Sequence, residues 1–180
     1  TSGPTSLGTL WGGAQDFAKR VEELTGGRFS IRPYAAGEIV GGLQVLDAVQ
    51  TGTVEAGISA SYYFIGKERT IAIDTTLPFG MTSRMQSAWM YYGGGHELMN
   101  KEVFSAFNVV AFPVGDTNAQ MAGWFRKEVP DLASLKGLKM RIPGFGGEVM
   151  AQLGVNVQTL APAEVFPALE RGVIDATEFV

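Results

Sequence analysis

The chain has 180 residues, of which 46% are hydrophobic and 18% are charged, a composition typical of a folded globular protein. Its net charge of −4 lacks the basic character of a nucleic-acid-binding protein, and no run of lysine or arginine indicates a membrane-surface role. The absence of cysteine excludes disulfides and cysteine-based metal sites, and the single histidine, His96, excludes metal sites that need two histidines.

Hydrophobic periodicity predicts helices and strands that alternate along the chain. Helices are predicted over residues 11–24, 43–50, 83–99 with an interruption at 93–95, 132–136, 146–153 and 164–170. Strands are predicted over residues 29–34, 54–58, 108–114, 139–142, 155–160 and 173–179. The segment 108–114 carries the strongest strand pattern. The alternation indicates α/β layering with a largely parallel sheet.

A nine-residue pattern occurs twice, at residues 48–56 and 168–176, which lie 120 positions apart. Both copies contain alanine, an apolar residue, Gln or Glu, then glycine, Val or Ile, an acid and a second alanine. Chance similarity between two common helix–glycine–strand connections is one interpretation. The other is two similar α/β lobes, which predicts a first lobe over 1–113 and a second over 114–180 that ends at the crossover back to the first.

The repeat also predicts that the sequence is cut at both ends. The second copy opens with the predicted strand 139–142, whereas the first begins where a matching strand should already be ending. The first copy also continues well past its repeat strand, through 77–79, whereas the second stops at residue 180. Because residues 1–4 show no signal-peptide features either, we expect a fragment of a longer chain.

A glycine-rich turn between predicted strand and helix is a candidate anion site. Residues 144–148 read Gly-Phe-Gly-Gly-Glu, and backbone N–H groups at such a helix start favour an anion. The turn fails as a dinucleotide motif because Val149 stands where a third glycine is needed. Arg141 lies in the strand that enters the turn, and its guanidinium suits a carboxylate bidentately. An exposed edge position or a structural ion pair is the alternative for this arginine.

Other candidate site residues stand at the ends of predicted elements. Gln120 and Glu178 offer oxygen donors that suit a hard cation such as sodium, or they are ordinary surface groups. Lining of a cleft, or an ordinary place in the core or on the surface, is expected for the aromatic residues Tyr62, Tyr63, Phe64, Trp89 and Trp124. His96 has no serine or aspartate relay in its sequence context, and neither a nucleophile elbow nor a Walker loop occurs. This inventory favours a binding protein over an enzyme.

Segments 120–125, 135–144 and 168–179 resemble the extracytoplasmic solute-binding subunits of TRAP (tripartite ATP-independent periplasmic) transporters. The segment Leu-Lys-Gly-Leu-Lys-Met-Arg-Ile-Pro-Gly at 135–144 is the most specific, and the segment 75–80, which ends in Leu-Pro-Phe-Gly, is also typical. The sequence looks closest to the branch that binds 2-oxo acids with a metal ion. The resemblance spans essentially the whole chain. It implies an α/β, two-lobe type II periplasmic binding-protein fold, incomplete at both ends, that closes on its ligand by a hinge.

The resemblance also implies roles for individual residues. Arg141 matches the arginine that holds the substrate carboxylate. Gln120, Glu178 and the backbone carbonyl of Phe179 match metal-ligating positions, so a sodium-like cation bound with the substrate is implied. Phe179 stands where the branch usually carries tryptophan, which alters the aromatic wall beside the ligand. Segments that face the cleft in relatives contain Asn118, Tyr62 and Tyr63.

The function implied is that of a periplasmic receptor, not an enzyme, that delivers a small organic acid, such as the 2-oxo acid pyruvate, to a membrane permease. A homodimer is left open, and no nucleic-acid partner is expected. Two alternatives remain at this point. One is an α/β enzyme that acts on a phosphorylated or carboxylate small molecule at the glycine-rich turn, and the other is a sensor or scaffold lobe without a ligand.

Overall fold

Six α-helices form within residues 1–179, the part of the chain that the computed structural model describes. Their bounds are α1 Gly8–Leu24, α2 Val45–Gln50, α3 Ser83–Tyr92, α4 Gly95–Glu102, α5 Gly144–Gln152 and α6 Pro162–Glu170. Short 3₁₀ segments occur at Gly42–Gln44, Ser61–Phe64, Arg69–Asp74, Phe104–Phe107 and Leu132–Leu135. All six predicted helical ranges therefore carry helical structure, and the triple glycine at 93–95 separates α3 from α4 as expected. None of these helices has the length and apolar character that crossing a bilayer requires.

The chain divides into two units. One consists of residues 1–59 with 161–163 and is helical, built on α1 and α2. Alanines at 14, 18 and 48 are among its buried residues. The other holds residues 60–160 and those from 164 onward, including the whole sheet. The lobes predicted over 1–113 and 114–180 stay a prediction about the whole protein.

A four-stranded sheet lies in the second unit, in the order β1-β4-β2-β3. Its strands are β1 Trp124–Phe125, β2 Lys139–Arg141, β3 Asn156–Gln158 and β4 Ala176–Thr177. β2 pairs in parallel with both β3 and β4, and β1 pairs antiparallel with β4 at the edge. The prediction of α/β layering with a largely parallel sheet is confirmed, because two of the three strand pairs are parallel and each of β2 and β3 is followed by a helix.

The centre of this sheet is the apolar core of the second unit. Met140, Ile174 and Ala176 are completely buried. The cluster built on these strands contains Leu135, Met140, Ile142, Val155 and Ala176. Met140 of β2 therefore lies in an apolar cluster, and the residue that follows it in the strand is the buried Arg141.

Three predicted strands are wrong. Residues 29–34, 54–58 and 108–114 form no strand within the described chain. The pattern at 108–114 does put apolar side chains on alternate residues, but Val110, Phe112 and Val114 are 59–68% exposed. A strand needs a partner for its backbone groups, and none of the described strands pairs with these segments.

A side chain takes the place of a partner strand at one point of segment 108–114. The Asn100 amide accepts a hydrogen bond from Ala111 N at 2.7 Å and donates one to Ala111 O at 3.0 Å. His96 Nε2 lies 3.0 Å from the same carbonyl oxygen, and its ring lies beside Phe112. His96 therefore anchors backbone from α4, which fits a structural role.

The two copies of the sequence repeat adopt the same local turn. Gly52 and Gly172 both have left-handed backbone, with φ of 73° and 70°. Ala48 O accepts hydrogen bonds from residues 53 and 54 at 2.8 and 3.2 Å, and Ala168 O accepts them from residues 173 and 174 at 2.9 and 3.3 Å. The repeat thus encodes one helix-ending motif. Within the described chain, only the second copy continues into a strand.

Close packing of α5 on the sheet gives a test of this fold. At Gly147 an added Cβ would clash with the Ile142 carbonyl oxygen and lie 2.9 Å from Val157 Cγ1. We expect Gly147→Ala to lower the free energy of unfolding of the full-length chain by roughly 1–3 kcal/mol in urea denaturation. The matched control is Gly146→Ala, whose Cβ meets only the flexible Ile142 side chain at 3.2 Å. An equal loss in both variants would contradict the packing of α5.

Candidate functional site

The carboxyl ends of the parallel strands bring the candidate residues together. Arg141 is the last residue of β2 and stands in register with Gln158 of β3 and Thr177 of β4. Glu178 follows directly, and its N–H donates to Arg141 O at 2.8 Å. In open α/β sheets this edge is where ligands bind, because loops and helix starts converge there.

Arg141 is 1% exposed and is held by hydrogen bonds on three sides. Its Nε donates to Leu160 O at 3.2 Å, and one Nη donates to both the backbone O and the Oε2 of Glu178, at 2.9 and 3.0 Å. The second Nη donates to the Tyr63 hydroxyl at 3.0 Å. A guanidinium is buried only when it is paired in this way, so the position is a prepared charge site rather than an exposed edge.

Aromatic rings surround the guanidinium. Its Cζ lies 5.9 Å from the centre of the Tyr63 ring and 5.6 Å from that of Phe179. Tyr62 packs beside Tyr63 with 4.7 Å between ring centres. Burial raises the pKa of Tyr62 far above its usual range, and interactions with Tyr63 and Glu178 add to the rise. Tyr62 is thus a neutral hydrogen-bonding group at any physiological pH.

Glu178 is the counter-ion of Arg141. Burial raises the pKa of Glu178 above its usual range, although the Arg141 charge opposes the rise. Its side chain keeps 15% exposure, whereas that of Arg141 keeps 1%. The carboxylate is therefore the partner that can turn away toward solvent, while the arginine stays in place.

Helix α5 begins three residues after Arg141, at the glycine-rich turn. Gly144 has a φ of 70°, and an added Cβ there would lie 3.2 Å from Tyr62 Cβ, so glycine lets the aromatic pair approach the turn. Arg69 forms a bidentate salt bridge with Glu148 of α5, with distances of 2.7 and 2.8 Å, and its guanidinium lies over the Phe145 ring. The N-terminus of α5 thus faces the aromatic pair as a partial positive charge.

In the part of the chain that the structure describes, the hydrogen bonds of Gln120 and Asn118 do not join these residues to the cluster around Arg141. Both are exposed. Gln120 Nε2 donates to Thr117 Oγ1 at 3.0 Å, and Asn118 accepts from Ser83 Oγ at 3.1 Å. No hydrogen bond of the described chain joins either residue to Arg141 or Glu178. Their predicted roles in ligand and metal binding stay predictions.

The oxygen donors near Glu178 fit a hard cation in part. The Glu178 carboxylate and the neighbouring backbone carbonyls are ligand types that sodium and calcium prefer. Within residues 1–179, however, no group of three or more Asp, Glu or His side chains gathers at one point. A cation here would therefore depend on amide and carbonyl oxygens, and Glu178 would supply the one charged ligand.

Two further residues were not predicted from the sequence: Ser61, which directly precedes the aromatic pair, and its hydrogen-bond partner Asp74. Ser61 is buried, and its hydroxyl donates to the Asp74 carboxylate, which ends the 3₁₀ segment Arg69–Asp74. Burial raises the pKa of Asp74 to about 6, against the opposing hydrogen bond from Ser61. An acid directly after the apolar run at 71–73 was the available signal.

The raised pKa of Asp74 predicts a pH-dependent stability. The folded chain holds this proton more tightly than the unfolded chain, whose aspartate pKa is about 4, so stability falls as pH rises from about 4 through 6. The full shift corresponds to roughly 2–3 kcal/mol. Asp74→Asn removes this loss, so its stability relative to wild type should rise between pH 4.5 and 7.5 in urea denaturation. A flat or falling difference would contradict the burial of Asp74.

Almost the whole chain matches a known protein family. The family model for bacterial extracellular solute-binding proteins, family 7, matches residues 4–180. The chain belongs to that family. The predictions of a solute-binding protein rather than an enzyme, and of an extracytoplasmic location, are thereby confirmed at the level of the family.

Individual relatives agree with this assignment. The monocarboxylate 2-oxoacid-binding periplasmic protein of Nostoc sp. strain PCC 7120 is 58% identical over 180 residues, which is 100% of this chain and 49% of the relative. A TRAP transporter solute-binding protein from Bordetella bronchiseptica RB50 matches with a TM-score of 0.95 and 44% identity over 99% of this chain and 53% of that one. It forms a mixed-occupancy dimer with calcium and picolinate in one site.

A third relative was solved with an oxo acid. The TRAP periplasmic solute-binding protein of Pseudoalteromonas atlantica T6c, with bound sodium and pyruvate, matches with a TM-score of 0.90 and 48% identity. The match covers 94% of this chain and 51% of that one. The predicted TRAP solute-binding family and its α/β periplasmic-binding-protein fold are thus confirmed. The chain spans about half the length of these relatives.

Proposed function

We propose that the full-length protein is the extracytoplasmic receptor of a TRAP transporter and binds a small 2-oxo acid anion such as pyruvate. The observation that carries this proposal is the buried Arg141 at the carboxyl edge of the sheet, beside the start of α5. Both features attract a carboxylate, one through a guanidinium fork and the other through backbone N–H groups. The names and ligands of the related proteins support the same class of solute.

Binding is an exchange of partners at Arg141. The incoming carboxylate takes the place of Glu178 Oε2 on one Nη atom and accepts a second hydrogen bond from the other Nη, beside the Tyr63 hydroxyl. Arg141 does not have to move, because Leu160 O and the Tyr63 hydroxyl hold its other nitrogens. A fixed guanidinium limits the ordering cost of binding.

Glu178, Phe179 and Gln120 would hold a sodium or calcium ion in the proposed site. Glu178, once freed from Arg141, would be the charged ligand, and the Phe179 carbonyl and Gln120 would supply neutral oxygens. A bound cation would supply positive charge that attracts the anionic solute. Tyr62, Tyr63 and Phe179 wall the solute, with Asn118 at its polar side. Two of the relatives were solved with such an ion bound in company with an organic acid.

Release to a membrane permease is the proposed purpose of binding. The solute stabilises the closed state of the hinge, because both lobes contact it only in that state. The loaded receptor then docks on the permease. A homodimer accords with the dimer of the Bordetella relative.

The proposal is tested by ligand-dependent thermal stability of the full-length protein in sodium chloride. Pyruvate and longer 2-oxo acids should stabilise it, by about 2.7 kcal/mol at a hundredfold excess over Kd. Propionate is the matched control, because it keeps the carboxylate and lacks the 2-oxo oxygen. It should stabilise the protein much less. No stabilisation by any carboxylate would overturn the proposal, and chemical conversion of an added acid, followed by NMR, would favour the enzyme alternative.

A further inference from the structure

A chain of polar contacts, buried at Ser61 and partly buried at Asp74 and Gln86, begins next to the site tyrosines. The Ser61 hydroxyl donates to the Asp74 carboxylate and lies 3.2 Å from Thr75 Oγ1. The Asp74 backbone is fixed in turn by Gln86, whose Nε2 donates to Asp74 O at 2.8 Å. Helix α3, the segment Arg69–Asp74 and Ser61 are thus connected by hydrogen bonds.

Ser61 is the first residue of the 3₁₀ segment Ser61–Phe64, which carries both site tyrosines. That segment is a single turn, and the Tyr63 N–H donates to Ala60 O at 3.1 Å. One turn of 3₁₀ helix has little stability of its own, so its position depends on what holds its ends. The Ser61–Asp74 hydrogen bond holds one end, and the Tyr63–Arg141 hydrogen bond lies at the other.

We infer that Ser61 and Asp74 are positioning residues for carboxylate recognition, a role that rests on the proposed function. Asp74 fixes the Ser61 hydroxyl, Ser61 fixes the turn, and the turn presents the Tyr63 hydroxyl to Arg141. Neither residue touches the solute. Their effect on affinity therefore passes through Tyr63.

The experiment measures pyruvate affinity by calorimetry in sodium chloride on the full-length chain. Ser61→Ala should raise Kd about tenfold, the amount that one buried hydrogen bond contributes. Asp74→Ala should do the same, and Asp74→Asn, which keeps an acceptor for Ser61, should restore most of the affinity. The matched control is Ser59→Ala, because the Ser59 hydroxyl is buried and makes no hydrogen bond within the described structure. It should leave Kd within about twofold of wild type.

A double-mutant cycle separates positioning from general stability. If Ser61 acts through Tyr63, then Ser61→Ala should change Kd less than threefold in a Tyr63→Phe background. Equal effects in both backgrounds would overturn the inference, as would an Asp74→Asn variant as weak as Asp74→Ala.

Amide hydrogen exchange tests the same role without a solute. Exchange of residues 61–64 should quicken in Ser61→Ala and stay unchanged in Ser59→Ala. Unchanged exchange in Ser61→Ala would overturn the inference even if wild type binds no 2-oxo acid. Absence of 2-oxo acid binding by the wild-type protein would by itself contradict only the proposed function.

Discussion

Arg141→Lys is expected to weaken pyruvate binding by the full-length protein roughly a hundredfold. Lysine keeps the charge, but it cannot offer two parallel N–H donors to one carboxylate. It also cannot keep the contacts to Leu160 O, Glu178 and Tyr63 at once, which arginine makes through three different nitrogens. Calorimetric titration in sodium chloride measures the loss.

The lysine variant is preferable to alanine because the Glu178 carboxylate stays paired. Removing the positive charge altogether would leave a largely buried carboxylate unpaired, a change that costs about 3–5 kcal/mol of folding stability in comparable cases. The matched control is Arg126→Lys, since Arg126 follows β1 at the edge of the same sheet with an exposed side chain. An Arg141→Lys variant with unchanged Kd would remove Arg141 from the proposed carboxylate site.

Glu178→Gln is expected to abolish the dependence of binding on the cation. In sodium chloride its affinity for pyruvate should fall at least about tenfold, because a neutral amide is a weaker ligand for a hard cation. In choline chloride the variant should bind at least as well as wild type, since glutamine competes less strongly for Arg141. The two effects have opposite signs, so loss of folding alone does not produce them.

Calorimetry in the two salts checks this prediction for Glu178→Gln. Its matched control is Glu128→Gln, an exposed glutamate in the same unit, which should keep the wild-type dependence on sodium. A Glu178→Gln variant that still requires sodium would contradict the assignment of Glu178 as the charged cation ligand.

The sequence predicted the helices and the glycine turns, because these elements form through interactions between residues that are close together in the chain. Helix periodicity and glycine turns located α1 to α6, and the repeat located two equivalent turns at Gly52 and Gly172. Strand pairing is non-local, and this explains the errors. An alternating pattern at 108–114 specifies an extended segment, but it cannot specify whether a partner strand is at hand.

The same distinction between local and non-local interactions applies to the candidate site. Arg141 stood out because a charge inside an apolar strand next to a glycine-rich turn is costly without a purpose. Its pairing with Glu178 and Tyr63 could not be read from the sequence, since these residues are 37 and 78 positions away. Ser61 and Asp74 were missed for the same reason, because only the fold shows that the Ser61 hydroxyl donates to the Asp74 carboxylate.

The most direct test of the account is a crystal structure of the full-length protein grown with pyruvate and sodium chloride. We expect the pyruvate carboxylate within hydrogen-bond distance of the Arg141 Nη atoms, with the Glu178 side chain turned away from the guanidinium and the Tyr63 hydroxyl still in contact with it. Pyruvate bound elsewhere, with Arg141 still paired to Glu178, would contradict the account.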